Sequence, residues 1–214
     1  MKLDLRIATI VMTGAWNCDI FTPPWIAKYL FNYQEDQEVK GSHIIFQPDN
    51  GPPRTINYID DIGVSAASGR LELFLKSTEQ KDFNLLESVA KNAISVLKHT
   101  PMGAFGINFR FVEETPSTDL VDKLKARDNL DEHFEIKSET FTSTIAYAEN
   151  VDLNLTRIIS DEGVKLGFNY HSHPLSIDNA EVLISKAINL RYEETKELIH
   201  RLYDRLDDIG IITH

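Results

Sequence analysis

The sequence predicts an α+β fold, built from a mostly antiparallel sheet of about eight strands and four helices. Two observations support this fold class. Short segments in which apolar and polar residues alternate, as they do in strands, recur along the whole chain. Longer segments instead repeat apolar residues every three or four positions, as the buried face of a helix does.

In the first half of the chain, alternation predicts strands at residues 3–12, 42–48, 55–60, 62–68, 70–77 and 104–112. Helical spacing predicts helices at residues 21–31 and 82–100. Thr22 is suited to cap the first helix, with Pro23 at its first helical position, and Asp82 is suited to cap the second. Ser68 and Gly69 are expected to form a tight turn between two strands.

The segment 104–112 carries the strongest strand signal of the sequence. Its large apolar residues all point to one side of a strand, and they are Phe105, Ile107, Phe109 and Phe111. Four such side chains on one face need a deep core to cover them. We therefore predict that all four are buried.

In the second half, the same patterns predict a short helix at 115–127, strands at 133–148, 151–160 and 164–173, and a helical region at 176–210. The apolar residues of 133–148 change parity between Ile136 and Phe141, which predicts a β-bulge. Residues 160–163 are expected to join the last two strands as a hairpin. Residues 1–214 are predicted to form a single domain, with two structurally similar halves, 1–115 and 116–214, as the alternative organisation.

Composition excludes some classes of function. The chain has 214 residues, 42% of them hydrophobic, and 33 acidic against 22 basic residues give a net charge of −11. Nucleic acids and anionic membranes attract basic surfaces, so neither is a predicted partner. The only cysteine, Cys18, cannot form an intramolecular disulfide. The sequence shows no signal-peptide pattern and no apolar run long enough to span a bilayer, so a cytoplasmic location is expected.

The stretch "NYHSHPLSID" carries the most specific chemical signal. Because strand side chains alternate between faces, His171 and His173 are predicted to share one face, as a chelating pair requires. That face also carries Lys165, whose charge opposes a divalent cation. Asp178 is expected at the start of a helix, where a carboxylate favours the positive end of the helix dipole. We predict no metal here; if a metal binds, its ligands are His171, His173 and Asp178.

The letters "HSHP" resemble the motif of metal-dependent isopeptidases of the deubiquitinase type. That family places a serine and an aspartate farther along the chain, whereas Ser176 and Asp178 follow His173 too closely. The His-x-His pattern is also similar to that of cupin barrels, which have a glycine where Lys165 stands here. Neither resemblance is close enough to predict the family.

Outside this stretch, the sequence contains no phosphate-binding loop and no nucleophile elbow. No catalytic residue, no cofactor-binding residue and no cofactor are therefore predicted. Trp25, which follows two prolines, is the candidate partner-binding residue because tryptophan is enriched at binding hot spots. The alternative for Trp25 is that it closes the core at a helix start.

The leading functional hypothesis is a non-enzymatic protein-interaction or assembly module that binds a protein partner or associates with itself. A sheet with this many strands and few helices leaves an edge or a face to protect. One alternative is a small-ligand binding protein with a pocket between the sheet and a helix. The other is a metal-dependent enzyme that uses His171 and His173.

Overall fold

The computed structural model describes residues 1–34, 37, 41–46, 54–125, 135–173, 184, 187–203 and 210–212. Within these residues the strands are β1 (Lys2–Asp4), β2 (Ile10–Gly14), β3 (Gly41–Phe46), β4 (Arg54–Ile59), β5 (Ile62–Ala67), β6 (Arg70–Leu75), β7 (Met102–Glu113), β8 (Ser138–Ala148), β9 (Val151–Ser160), β10 (Gly163–Ser172) and β11 (Gly210–Ile212). The α-helices are α1 (Pro23–Tyr29), α2 (Gln80–Val96), α3 (Thr118–Leu124) and α4 (Ala187–Tyr203), and a 3-10 turn spans Cys18–Ile20. The predicted α+β class is confirmed.

All of these strands belong to one sheet of eleven strands, with the main order β3-β4-β5-β6-β2-β7-β10-β9-β8. Every neighbouring pair along this path is antiparallel. The short strand β1 pairs with β7 beside β2, and β11 runs parallel to β1. Strands from both halves of the chain therefore share the sheet, since β7 of the first half pairs with β10 of the second.

The sheet has more strands than predicted, partly because the strand expected at 3–12 is two strands, β1 and β2. The carboxylate of Asp4 accepts a hydrogen bond from the backbone N–H of Arg6 at 3.1 Å, and this local bond turns the chain away from the strand. The strand β11 lies at and beyond the end of the predicted helical region 176–210.

The core lies between the sheet and the helices α2 and α4. All four apolar side chains of β7 that were predicted to be buried are buried, which confirms that prediction. The ring of Phe109 packs against that of Tyr192 in α4, with centroids 5.5 Å apart, and Phe111 packs edge-to-face on Phe168 of β10. The strand β7 is thus the centre of the apolar core.

Two local predictions are wrong. The helix α2 begins at Gln80 with Glu79 at the N-cap position, so Asp82 lies in the first turn rather than at the cap. The Asp82 carboxylate instead accepts a hydrogen bond from the hydroxyl of Ser77. The bulge predicted between Ile136 and Phe141 is absent, because β8 begins only at Ser138. The register of β8 with β9 shifts instead between Ala146 and Ala148.

The hairpin between β9 and β10 confirms the turn predicted at 160–163, since Ser160 pairs with Gly163. Gly163 has a backbone φ of 111°, and a Cβ atom added to it would lie 2.2 Å from the carbonyl oxygen of Glu113. Gly69, in the predicted turn between β5 and β6, has a φ of 82° with no atom within 4 Å of such a Cβ. Substitution of Gly69 therefore tests backbone strain alone, whereas substitution of Gly163 tests backbone strain and steric overlap together.

We expect Gly163→Ala to lower the free energy of unfolding by about 2–3 kcal/mol, because strained backbone and steric overlap add. Gly69→Ala, the matched control, carries only the backbone strain and should cost about 1 kcal/mol. Urea denaturation of the two variants measures both values. Equal losses for the two variants would mean that the end of β7 at Glu113 moves aside without cost.

The face of the sheet opposite the helices carries a row of hydrogen-bonded polar side chains across four strands. Thr144 Oγ1 lies 2.8 Å from Asn154 Oδ1, and Asn154 Nδ2 lies 3.1 Å from Asn169 Oδ1. Asn169 Nδ2 lies 2.6 Å from Asn108 Oδ1, and Asn108 Nδ2 lies 3.2 Å from the carbonyl oxygen of Ala8. This amide row links β8, β9, β10 and β7 side by side.

Within the described ranges, no helix is both long enough and apolar enough to cross a membrane.

Candidate interaction edge and histidine pair

The strand β8 forms one end of the sheet. It pairs with β9 from Ser138, opposite Ser160, to Ala148, opposite Val151. Among the residues that the structure describes, no strand pairs with its other side. A strand in this position presents a row of backbone N–H and C=O groups that another strand can bind.

The composition of β8 leaves this edge open to pairing. Its eleven residues, "SETFTSTIAYA", contain one charged side chain, Glu139, and neither lysine nor proline. Natural sheet edges are usually protected by such residues, by bulges or by very short strands. The register shift of β8 lies at its end, between Ala146 and Ala148, and leaves the regular stretch before it unprotected. None of the eleven side chains is buried, and Ile145 is 41% exposed. Threonine, isoleucine and aromatic residues are those that favour strand pairing.

The helix side of β8 is held by α4. The ring of Tyr147 packs edge-to-face on Tyr170 of β10, with centroids 5.1 Å apart, and the guanidinium of Arg191 lies 4.8 Å from the Tyr147 ring centre. The Tyr170 hydroxyl lies 2.8 Å from Thr195 Oγ1 of α4. Burial raises the pKa of Tyr170 to about 12, so this hydroxyl stays protonated at neutral pH. These contacts fix the position of β8 relative to β10 and α4.

The opposite end of the sheet is β3. It is shorter, with six residues, and its Ile45 side chain is exposed. The segments on either side of β3, residues 38–40 and 47–53, lie outside the described residues. The longer strand β8, described over its whole length, is therefore the better candidate for an interaction edge.

The two histidines meet at the other candidate site. His171 lies in β10 and His173 directly follows the strand, and their Nε2 atoms are 3.0 Å apart. The ring centroids are 4.4 Å apart with an interplanar angle of 83°. Burial, and then the charge of His173, lower the pKa of His171, while Asp152 acts in the opposite direction. His171 lies opposite Asp152 of β9 and Gly106 of β7.

The charge argument against a metal changes once the fold is known. Lys165 lies six positions from His171 along β10, which is roughly 20 Å in an extended strand. Its Nζ atom also forms an ion pair with Glu162 at 2.8 Å. Lys165 therefore does not act on the histidine pair. Asp178, named as the third ligand only if a metal binds, lies outside the described residues, and the described part of the chain brings no three metal-binding side chains together.

The side chain of Trp25, the partner-binding candidate, lies in α1 and packs partly against the core. Its ring centre is 5.2 Å from that of Phe21 and 5.1 Å from that of Tyr29, which is partly exposed. Trp25 thus has a packing role at the start of a helix. Its role in partner binding stays a prediction.

A surface pocket of about 300 Å³ lies where β8 and β9 approach the end of α3, and its lining residues include Lys125, Lys137, Glu139 and Asp161. The small-ligand hypothesis places its pocket between the sheet and a helix, where the apolar side chains of β7 are buried. Four of the eight residues that line the surface pocket are charged, whereas typical small-molecule sites are mostly apolar. The pocket is therefore a weaker candidate than the β8 edge.

Sequence reasoning did not single out β8 as a site. The signal was present, since residues 140–148 contain no charged side chain and many β-branched or aromatic ones. Comparison of the sequence with protein-family models and with curated proteins finds no match. The β8 edge and the histidine pair are therefore the features of the described structure that point to a function.

Proposed function

We propose that the protein is a non-enzymatic assembly module that associates with a second copy of itself through the β8 edge. The observation that carries this proposal is the length and composition of β8, eleven residues with one charged side chain. An edge of this kind is a template for strand addition unless something covers it. We further propose that association takes place in the cytoplasm. The single cysteine, Cys18, cannot form an intramolecular disulfide, so the fold does not depend on an oxidising compartment.

A second copy fits because two β8 strands can pair antiparallel with Ser143 of one copy directly opposite Ser143 of the other. We call this the register about Ser143. In this register Phe141 of one copy lies opposite Ile145 of the other, and Thr142 lies opposite Thr144. Opposed residues then have the same parity, so the helices of both copies stay on the same side of one continuous sheet. Apolar and Thr–Thr cross-strand pairs of this type each contribute roughly 0.2–1 kcal/mol.

Neighbouring registers fit less well. Pairing about Thr142 places Glu139 opposite the exposed Ile145. Pairing about Thr144 places Glu139 of one copy opposite Glu149 of the other, and like charges in that position are destabilising. The register about Ser143 instead places Glu139 opposite Tyr147. It also forms about ten backbone hydrogen bonds, a number typical of a specific interface.

The first experiment compares oligomeric state by size-exclusion chromatography with light scattering. The wild-type protein should show twice the mass of one chain and dissociate on dilution. Ile145→Lys should raise the dissociation constant about tenfold or more, because a lysine blocks the edge and replaces an apolar cross-strand pair. The matched control is Leu190→Lys, which changes an exposed leucine of α4 and should leave the dimer intact.

Two outcomes contradict the proposal. One is a wild-type protein whose mass equals one chain at every concentration. The other is a dimer that Ile145→Lys and Leu190→Lys weaken equally.

The register is tested by disulfide trapping in a Cys18→Ser background. Ser143→Cys should form a disulfide-linked dimer on oxidation, since directly opposed residues of antiparallel strands have Cα atoms about 4.5–5.5 Å apart. Thr140→Cys is the control, because its two copies would lie roughly 20 Å apart. A dimer by light scattering that traps through Thr140→Cys but not Ser143→Cys would keep the interface and reject the register.

A further inference from the structure

Contrary to the expectation from the sequence, we propose that His171 and His173 form a surface site for one divalent transition-metal ion of the zinc, nickel or copper class. The proposal is independent of assembly through β8. Both imidazoles would bind through Nε2, and water would take the remaining coordination positions. The site is a binding site, and no reaction is assigned to it.

The distance between the two nitrogens carries the proposal. Imidazole nitrogens bind these metals at about 2.0–2.1 Å, so nitrogens 3.0 Å apart subtend an angle of roughly 90° at a shared ion. That angle is the one between adjacent ligands in square-planar and octahedral sites. A tetrahedral site needs nitrogens about 0.3 Å farther apart, which a small rotation of the exposed His173 ring provides. The pair is thus set for chelation without a change of backbone.

The surroundings of the pair also favour a cation. His171 is held in β10 between β7 and β9, so its position is fixed by strands on both sides. Asp152 lies directly opposite it on β9, where side chains on one face approach to about 5 Å. Lys165 is distant and is paired with Glu162. The whole chain has a net charge of −11, which raises the local concentration of cations.

The ordinary alternative is a hydrogen bond between the rings. One Nε2 must then carry a proton and the other must be bare, so a single proton holds the two nitrogens at 3.0 Å. A metal ion replaces this proton and satisfies both nitrogens at once. The two explanations differ in a measurable way, because only the chelate binds a metal more tightly than a single exposed histidine does.

The experiment is calorimetric titration of the untagged protein, freed of metal, with ZnCl₂, NiCl₂ and CuCl₂ at pH 7.5. We expect about one ion per chain, with copper bound most tightly in accordance with the usual order of affinities. His171→Ala and His173→Ala should each weaken binding by about tenfold or more, because each leaves a single imidazole. His99→Ala, which removes an exposed histidine elsewhere, should leave the affinity unchanged.

Two further measurements complete the test. Asp152→Asn should weaken binding severalfold, since it removes the opposing negative charge and keeps both imidazoles. At pH 5.5 binding should fall sharply, because protons compete for the ring nitrogens. Circular dichroism of each variant shows that it folds, and the Ile145→Lys variant should retain the metal. The proposal is overturned if His171→Ala and His173→Ala bind the metals as tightly as the wild type does, or if His99→Ala weakens binding as much as they do.

Discussion

Replacing Phe109 with alanine is expected to lower the free energy of unfolding by about 3–5 kcal/mol, the usual cost of removing a buried phenylalanine. The side chain is only 2% exposed and lies in the middle of β7. Phe168 of β10 is its cross-strand neighbour, and the Tyr192 ring of α4 packs on its other side. Because strands flank β7 on both edges, the surroundings have little freedom to collapse into the cavity.

Urea denaturation followed by circular dichroism measures this loss. Leu190→Ala is the control, since it truncates an exposed apolar side chain of α4 and should change stability by about 0.5 kcal/mol or less. A loss below about 1 kcal/mol for Phe109→Ala would show that β7 is not the centre of the core.

The second large effect is expected for Asp4→Asn, with a loss of about 2–3 kcal/mol. The Asp4 side chain is 1% exposed, and its carboxylate accepts hydrogen bonds from Arg6 Nε at 2.8 Å and Arg110 Nη2 at 2.7 Å. Removing one partner of a buried ion pair can cost about 3–5 kcal/mol. Here the cost is smaller because the two arginine side chains are 45% and 37% exposed and can be rehydrated. Asp119→Asn, in an exposed ion pair with Lys123, is the control and should change stability little.

The effect of Asp4 should depend on pH. Burial alone would raise the pKa of Asp4, but hydrogen bonds from Arg6 and Arg110 outweigh it and hold the pKa below its ordinary value of 3.8. The folded state therefore binds this proton less readily than the unfolded state does. The stabilisation is complete well above pH 3.8 and is lost as pH falls through the lower, folded pKa. The difference in the free energy of unfolding between wild type and Asp4→Asn should therefore shrink as the pH falls below 3.8 towards the folded pKa. A constant difference down to pH 2 would contradict this expectation.

Those parts of the fold that depend on local periodicity could be predicted from the sequence. The alternation around Phe109 determines which face of β7 is buried, and the turn at Gly163 follows from neighbouring residues. The place of Asp82 could not be predicted in the same way, because it depends on a hydrogen bond from the Ser77 hydroxyl. The break between β1 and β2 likewise depends on the hydrogen bond from the Arg6 backbone N–H to the Asp4 carboxylate.

The candidate sites needed information that periodicity does not contain. An uncharged strand can lie at the centre of a sheet or at its edge, and only the long-range pairing of β10 with β7 places β8 at the end. For the histidines, alternation placed both side chains on one face. It could not show that their rings meet, or that Lys165 is paired with Glu162 far from them.

The amide row gives the polar face of the sheet a direction. The Thr144 hydroxyl donates to Asn154, each amide then donates to the next, and Asn108 donates to the carbonyl of Ala8. Because every bond points inward from β8, their dipoles add, and turning over one amide breaks the bonds on both of its sides. The Thr144 hydroxyl at the open end uses its proton in the hydrogen bond to Asn154, and its oxygen lone pairs can still accept a hydrogen bond. A strand added to β8 therefore meets an acceptor there, and in the register about Ser143 the hydroxyl of Thr142 from the other copy is the donor that faces it.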